Sequence, residues 1–387
     1  MKRIAKALAY ILFLCAIVLG TSEAYLRYFW FDPHQYYLRP PGSTIERHPN
    51  LDELPGASAF PITVTNSLGL RGDELPPGTG HWLIFAIGSS NTEDPLLSVD
   101  KTWTYRLQHL LPDAWVGNAG KGGTGVRHHL IQLREFLPRL PRFNHVLVLA
   151  GINDMLFDYH IHIPPDLKDE WFMEQAFGYQ PADDNPFLSH FRTYYLLEHT
   201  LDTLHTLLYV DHEALIAANL PPTEKYRRRR AQVQPQDFIR SVPDLAPATA
   251  RYADNLRALA MLIRQYHATP VFMTAPALWQ EHMEPAELAR VFAGGVGPPS
   301  EWFENPHTKW YAIETLAAML AAYNQTMLDV CAHGDATCID LAKELPKVAA
   351  NFVDDYHFSE TGAARVAAIV ATHLMRLHAS VSQLPQR

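Results

Sequence analysis

Five short, almost unbroken apolar runs, each followed by a stretch of different periodicity, constrain this chain more than any other feature. They are "WLIFAI" (82–87), "AWVGNAG" (114–120), "HVLVLAG" (145–151), "ATPVFMTAP" (268–276) and "ATCIDLA" (336–342). Between and after them lie "TWTYRLQHLL", "VRHHLIQLREFL", "ATARYADNLRALAMLIRQYH", "WYAIETLAAMLAAYNQTMLDV" and "SETGAARVAAIVATHLMRL". In the third of these, Tyr252, Leu256, Leu259, Ile263 and Tyr266 recur at helical spacing. A strand apolar at nearly every position is buried on both faces, and a helical connection joins parallel neighbours. The pattern therefore predicts an α/β domain with a parallel sheet of about five strands, covered by helices on both sides. Ser359 and Thr361 are both candidate caps for the closing helix.

The rhythm has two interruptions. Residues 31–80 are rich in Pro and Gly around one strand-like stretch, "FPITVTNSLGLRG", and read as an extended approach segment packing onto the domain. Residues 155–244 are aromatic and proline-punctuated, with "RTYYLLEHTLDTLHTLL" as a helix, and read as a mainly helical insertion over the carboxyl edge of the sheet. Within it, "WFMEQAFGY" and "RTYYLL" read as insertion core, and the basic cluster "KYRRRR" (225–230) as a solvated loop or helix face. The α/β region then spans 81–378, and 379–387 reads as a flexible tail.

The first 30 residues are of another kind. Lys2, Arg3 and Lys6 precede an apolar run from Ala7 to Gly20, the signature of an export signal. "SEA" (22–24) would serve as a cleavage site; the apolar residues of "AYLRYFW" instead favour an uncleaved signal-anchor helix. Either way the positive charges stay inside and the body is exported, to the periplasm or another extracytoplasmic location. With a formal net charge of -9 the chain as a whole repels polyanions, so no nucleic acid partner is expected. Cys15 lies in the apolar run, which leaves Cys331 and Cys338 as a possible disulfide in an oxidising compartment.

In an open parallel sheet, reactive groups gather at the carboxyl ends of the strands. The first strand ends in Gly88-Ser89-Ser90-Asn91, the second in "NAGKGGTG", the third in Gly151-Ile152-Asn153-Asp154, and the last is followed by "VDDYHFSETG". A serine hydroxyl needs a base within hydrogen-bond reach, a partner to orient that base, and donors for an oxyanion. His357 can be the base and Asp354 its partner; backbone amides freed by glycines, the Ser90 amide and the Asn153 side chain can be the donors. "NAGKGGTG" matches neither the P-loop nor the dinucleotide pattern, and no cofactor is implied.

These four stretches resemble, in order, the four sequence blocks of the SGNH hydrolases, or GDSL esterases. The resemblance runs over about residues 60–378, and the leader together with "TNSLGLRG" is similar to exported bacterial members. It implies a flavodoxin-like three-layer α/β/α fold with Ser90 as nucleophile, His357 as base and Asp354 as its partner. Ser90, Gly123 and Asn153 would form the oxyanion hole, with Gly120 and Gly122 as alternatives to Gly123. Ser89 stands where many members have Asp, and Asp355 fails the D-x-x-H spacing.

Other residues carry weaker expectations. His160 and His162 in "YHIHIPP" could share a metal only if their segment were extended, and no metal is expected. His128 and His129 read as partly exposed helix surface. Trp279 reads equally as pocket wall or core, and Asp154 as a holder of the loop that aims Asn153. The resemblance points to an exported serine esterase acting through an acyl-enzyme on an O-acetyl or other short acyl group of an envelope or extracellular carbohydrate. Open alternatives are an acyltransferase, a lipase, lysophospholipase or thioesterase with the same residues, and a membrane-anchored binding or assembly protein on the same fold.

Overall fold

A computed structural model of the chain describes residues 2–29, 38–39, 41–78, 80–164, 167–169, 171–172, 191, 193–194, 223–297 and 307–382. Two compact units are distinguished, Met1–Tyr36 with Met173–Leu220, and Tyr37–Phe172 with Pro221–Arg387. In the first, α1 (Lys2–Phe29) is one continuous helix. It runs through Gly20 and the following "AYLRYF" without a break. Its segment Ala9–Tyr28, with mean hydropathy 1.7, is long and apolar enough to cross a membrane.

The second unit opens with a hairpin of β1 (Thr44–Glu46) and β2 (Ile62–Val64), of which only the second strand is foreshadowed by the sequence. It continues with β3 (Trp82–Gly88), α2 (Ser90–Glu93), α3 (Trp103–Leu110), β4 (Ala114–Asn118), α4 (Val126–Phe136), β5 (His145–Leu149) and α5 (Ile152–Leu156). Then follow α6 (Ala246–Gln265), β6 (Thr269–Met273), α7 (Ile313–Ala332), β7 (Thr337–Ile339) and α8 (Glu360–Ser382). The main sheet has the order β4-β3-β5-β6-β7, every pair parallel. This is the flavodoxin-like arrangement, in which the chain leaves the central first strand toward one edge and later crosses back past it.

Strand alternation divides the interior into two cores. Ile84, Ala86, Leu147, Leu149, Val271 and Met273 face α3 and α8, whereas Phe85, Ile87, Val146, Val148 and Phe272 face α4, α6 and α7. The expected three-layer α/β/α fold is therefore present. The closing helix starts at a Ser359 cap, its Oγ accepting the Gly362 amide at 3.0 Å, and runs to Ser382, past the expected limit of 378. Cys331 and Cys338 form a disulfide, with Cα atoms 5.8 Å apart, between the end of α7 and β7.

The approach segment is more than a wrapper. Arg71, from "TNSLGLRG", pairs by its backbone with Asn118 at the edge of β4. Its guanidinium, 5 % exposed as a residue, donates to the carbonyls of Glu93 at the end of α2 and of Asp94 (2.6 Å) and Leu97 just beyond it. Burial, opposed by the nearby carboxylates of Asp94 and Glu93, lowers its pKa to about 10, so it stays charged. Arg71→Met keeps the aliphatic stem but strands three buried carbonyls. It should reduce unfolding free energy by about 3–5 kcal/mol, the range for breaking a buried charged contact. The check is urea denaturation, in which the midpoint falls at an unchanged slope.

The insertion contains described structure at its two ends, including a π-helical turn at Phe157–Ile161 and a helix at Thr223–Ala231. The helix expected over 192–208 lies outside the described residues except for 193–194, which are helical. The basic cluster is not wholly solvated. Arg230 is buried, its Nη1 donating to the Ala293 carbonyl (2.7 Å) and its Nη2 to that of Tyr311 (3.0 Å), with the guanidinium over Phe238. An arginine can be buried where carbonyls and an aromatic face replace its water.

Candidate active site

Ser90 is the first residue of α2, directly after the tight turn that ends β3. Its Oγ lies 2.7 Å from His357 Nε2. His357 Nδ1 lies 2.7 Å from Asp354 Oδ2, so the ring donates from Nδ1 and accepts the Ser90 proton at Nε2. Asp354 is fully buried, and its other oxygen accepts the amides of Tyr356 (3.0 Å) and His357 (2.8 Å). That closes the loop around its own carboxylate. The Val353 amide on the His357 carbonyl (2.9 Å) and the bridge between Phe352 and Phe358 hold it further.

Charge sets the titration of this line. Burial alone would raise Asp354, but the His357 charge and the three hydrogen bonds outweigh it and leave the carboxyl below its usual range. Burial alone would lower His357; the Asp354 carboxylate and its hydrogen bond outweigh that, and the ring is raised above its ordinary value. Only the neutral ring can accept the serine proton, so the site gains a competent base as pH rises through this raised pKa.

Besides the Ser90 amide, the candidate donors lie in the glycine loop after β4 and in the turn after β5. In the glycine loop after β4, the Gly120 amide is spent on Asn118 Oδ1 (2.9 Å) and that of Gly122 on Glu93 Oε2 (2.7 Å). The Gly123 amide, at a residue with φ +75 that favours glycine, donates to nothing among the described residues. Gly120 has a different need: a Cβ there would come within 2.2 Å of the Glu93 nitrogen. Asn153 Nδ2 uses one proton on the Thr124 carbonyl (2.9 Å), which orients the amide and leaves a second proton. Asp154 accepts from the amides of Val126 (2.8 Å) and Gly151 (3.2 Å), tying the Asn153 turn to the start of α4.

A model of the GDSL-like lipase/acylhydrolase family matches residues 86–365, most of the chain. The chain belongs to this family. It is an SGNH hydrolase, an ester-cleaving serine enzyme. Among solved structures it is similar to a lipolytic G-D-S-L family protein from Veillonella parvula, at 10% identity and TM-score 0.41, over 76% of this chain and 98% of that one. A carbohydrate acetylesterase from Sinorhizobium meliloti is also similar, at 10% identity and TM-score 0.38, over 76% and 99% of the two chains. A catalytic mutant of an acetylxylan esterase from Geobacillus stearothermophilus shows 13% identity and TM-score 0.38, over 78% and 95%. No curated protein matches the sequence.

In this SGNH hydrolase the serine that replaces the usual Asp has its own bond. Ser89 Oγ donates to Asn91 Oδ1 (3.1 Å), and Asn91 Nδ2 donates to the Tyr356 carbonyl (3.1 Å). The turn that carries Ser90 and the histidine loop are thus joined through Asn91, a residue the motif pattern passes over although it directly follows Ser90.

Several expectations need correcting. Trp279, read equally as pocket wall or core, is 1 % exposed, and its Nε1 donates to Asp355 Oδ2 (3.1 Å), which packs it behind the histidine loop. Asp355, set aside for its spacing, also accepts the Ala293 amide (3.0 Å), and Phe292 stacks parallel to His357 at 6.4 Å. Burial, reinforced by the Asp354 charge, pushes Asp355 up to about 7. His128 and His129 are buried, because α4 packs against the sheet and α6 while Phe157 and Phe172 cover His128. Burial lowers them to about 3 and 4, and both are neutral. His160 and His162 lie at a π-helical turn that ends in a left-handed residue, so the extended geometry their shared metal site required is not met. A cavity of about 690 Å³ lined by Arg227, Phe238, Leu288 and Val291 includes no residue of the Ser90 cluster.

Proposed function

We propose that Ser90 is the nucleophile, His357 the general base and Asp354 the group that holds and charges the ring. The carrying observation is the unbroken hydrogen-bonded line Asp354–His357–Ser90, both contacts at 2.7 Å. Ser90 Oγ attacks the ester carbonyl as its proton passes to His357 Nε2. The carbonyl oxygen becomes an oxyanion that accepts from the Ser90 amide, the Gly123 amide and the free Asn153 proton. His357 then returns the proton to the departing alkoxide, leaving the acyl-enzyme. Water, deprotonated by the same nitrogen, releases the acid and regenerates Ser90. Asn153→Ala removes one donor and should lower kcat by about 10²- to 10³-fold with a small change in KM, measured on an aryl acetate. An unchanged kcat would exclude Asn153 from the hole.

The substrate we favour is an O-acetyl or other short acyl ester on a cell-envelope or extracellular carbohydrate. Support comes from the helix α1, which suits a signal or an anchor that leaves the hydrolase outside the cytoplasmic membrane. Transfer to another hydroxyl would use the same acyl-enzyme. Acetate release from O-acetylated polysaccharide, compared with hydrolysis of long-chain acyl esters, tests this. A preference for chains beyond a few carbons would turn the reading to a lipase. Alkaline phosphatase fused after residue 36 tests export, since that reporter is active only outside the cytoplasm.

A further inference from the structure

The carboxylate of Glu93 sits one turn past Ser90 on α2, and its side chain is 3 % exposed. Neither the four motif blocks nor the mechanism above gives it a task. Its Oε2 accepts the Gly122 amide at 2.7 Å. Its Oε1 accepts Arg39 Nε at 2.7 Å and also Arg39 Nη2, a two-pronged ion pair. Three separate stretches therefore meet at one carboxylate: the approach segment, the nucleophile helix and the glycine loop.

The glycine loop needs such a partner. Lys121 is fixed through its amide on the Gly88 carbonyl (3.0 Å) and Thr124 through its hydroxyl on the Lys121 carbonyl (2.6 Å). Between them Gly122 and Gly123 are exposed and have no side chain to pack, so only backbone hydrogen bonds can limit their conformations. Among the described residues the single bond of that kind is the Gly122 amide on Glu93. A Cβ on Gly122 would lie 3.3 Å from Glu93 Oε2 and 3.7 Å from Ser90 Cβ, so the carboxylate and the nucleophile lie along the same side of the loop. The next amide is that of Gly123.

We propose that Glu93, anchored by Arg39, is a positioning residue that aims the Gly123 amide at the developing oxyanion. The inference rests on the reading of Ser90 and Gly123 given above. It makes Arg39, upstream of the matched family region, part of the support of the active site. Glu93 touches no reacting atom; it acts through the loop. Glutamine has the same shape but one acceptor oxygen, so Glu93→Gln cannot hold both Gly122 and the Arg39 fork. A displacement of about 1 Å in a catalytic group is enough for a loss of about 10²-fold.

The test uses the full chain, with aryl acetate kinetics and inhibition by an aryl boronic acid. Boron accepts the Ser90 oxygen, and one of its hydroxyls then occupies the oxyanion position. For Glu93→Gln we expect kcat to fall about 10- to 100-fold with KM nearly constant, and the boronate Ki to weaken by the same factor. Arg39→Lys, which keeps the charge but not the fork, should fall between wild type and Glu93→Gln, and it serves alone if the latter does not fold. Combining Glu93→Gln with Arg39→Met should add little to either loss, because one relay is broken twice. Folded variants with kcat and boronate Ki within about twofold of wild type would overturn the role of Glu93. A wild type that takes no fluorophosphonate label would overturn the Ser90 reading itself, and the two failures are thereby distinct.

Discussion

Ser90→Ala is expected to lower kcat for an aryl acetate by about 10⁵-fold or more and to abolish labelling by a fluorophosphonate, while Ser89→Ala keeps the label. The two serines are adjacent in sequence and chemically identical, so the contrast depends wholly on geometry. Ser90 Oγ is 2.7 Å from the imidazole, whereas Ser89 Oγ is engaged with Asn91 and is 7 % exposed as a residue. Without the Ser90 hydroxyl no acyl-enzyme forms, and residual turnover would come from water acting in a site that still offers oxyanion donors. Loss of Ser89 removes one neutral hydrogen bond, worth about 1 kcal/mol, from the brace between the two loops. Labelling that survives Ser90→Ala and disappears with Ser89→Ala would reverse the assignment.

Asp354→Asn should lower kcat by about 10⁴-fold, the loss found when this charge is removed from other triads. Asparagine retains an oxygen for the amides of Tyr356 and His357, so the loop persists. Its other atom becomes an NH₂ group facing His357 Nδ1. The ring then accepts at Nδ1 and carries its proton at Nε2, where it can no longer take one from Ser90. The same substitution has a second signature in pH. The pKa of His357 is raised because the Asp354 carboxylate outweighs burial, and kcat/KM of the wild type should rise with pH through one ionisation above the ordinary imidazole range near 6.5. With that charge gone, burial is opposed only by the smaller contributions of Asp355 and Asp94, so the limb should move to lower pH. A limb that stays in place, or a loss below about tenfold, would show that Asp354 does not govern the ring.

Much of this was open to reading from one dimension. The five apolar runs lie within the five strands or extend them by a few residues, because burial on both faces of a parallel sheet demands local continuity of apolar side chains. The motif blocks lie at strand ends because the edge of the sheet is where backbone turns expose polar groups, and the D-x-x-H spacing is short enough for one loop to close Asp354 onto His357. The Ser359 cap is likewise a local interaction.

What the sequence by itself determined, then, is whatever depends on neighbours in the chain: the strands and helices, the order of the blocks, and the residue types able to form a serine hydrolase site. Which residues are buried, and against what, only the tertiary structure decided. Arg71 on the carbonyls of Glu93 and Asp94, Arg39 on Glu93, Asn91 on the Tyr356 carbonyl and Trp279 on Asp355 each join segments separated by 22 to 265 positions. The sequence likewise left His128 and His129 as helix surface, although the packed helix is covered on both sides. The physical reason is that a charged or polar side chain has no intrinsic preference for the interior. It is stable there only when a distant part of the chain supplies the partner that replaces its water.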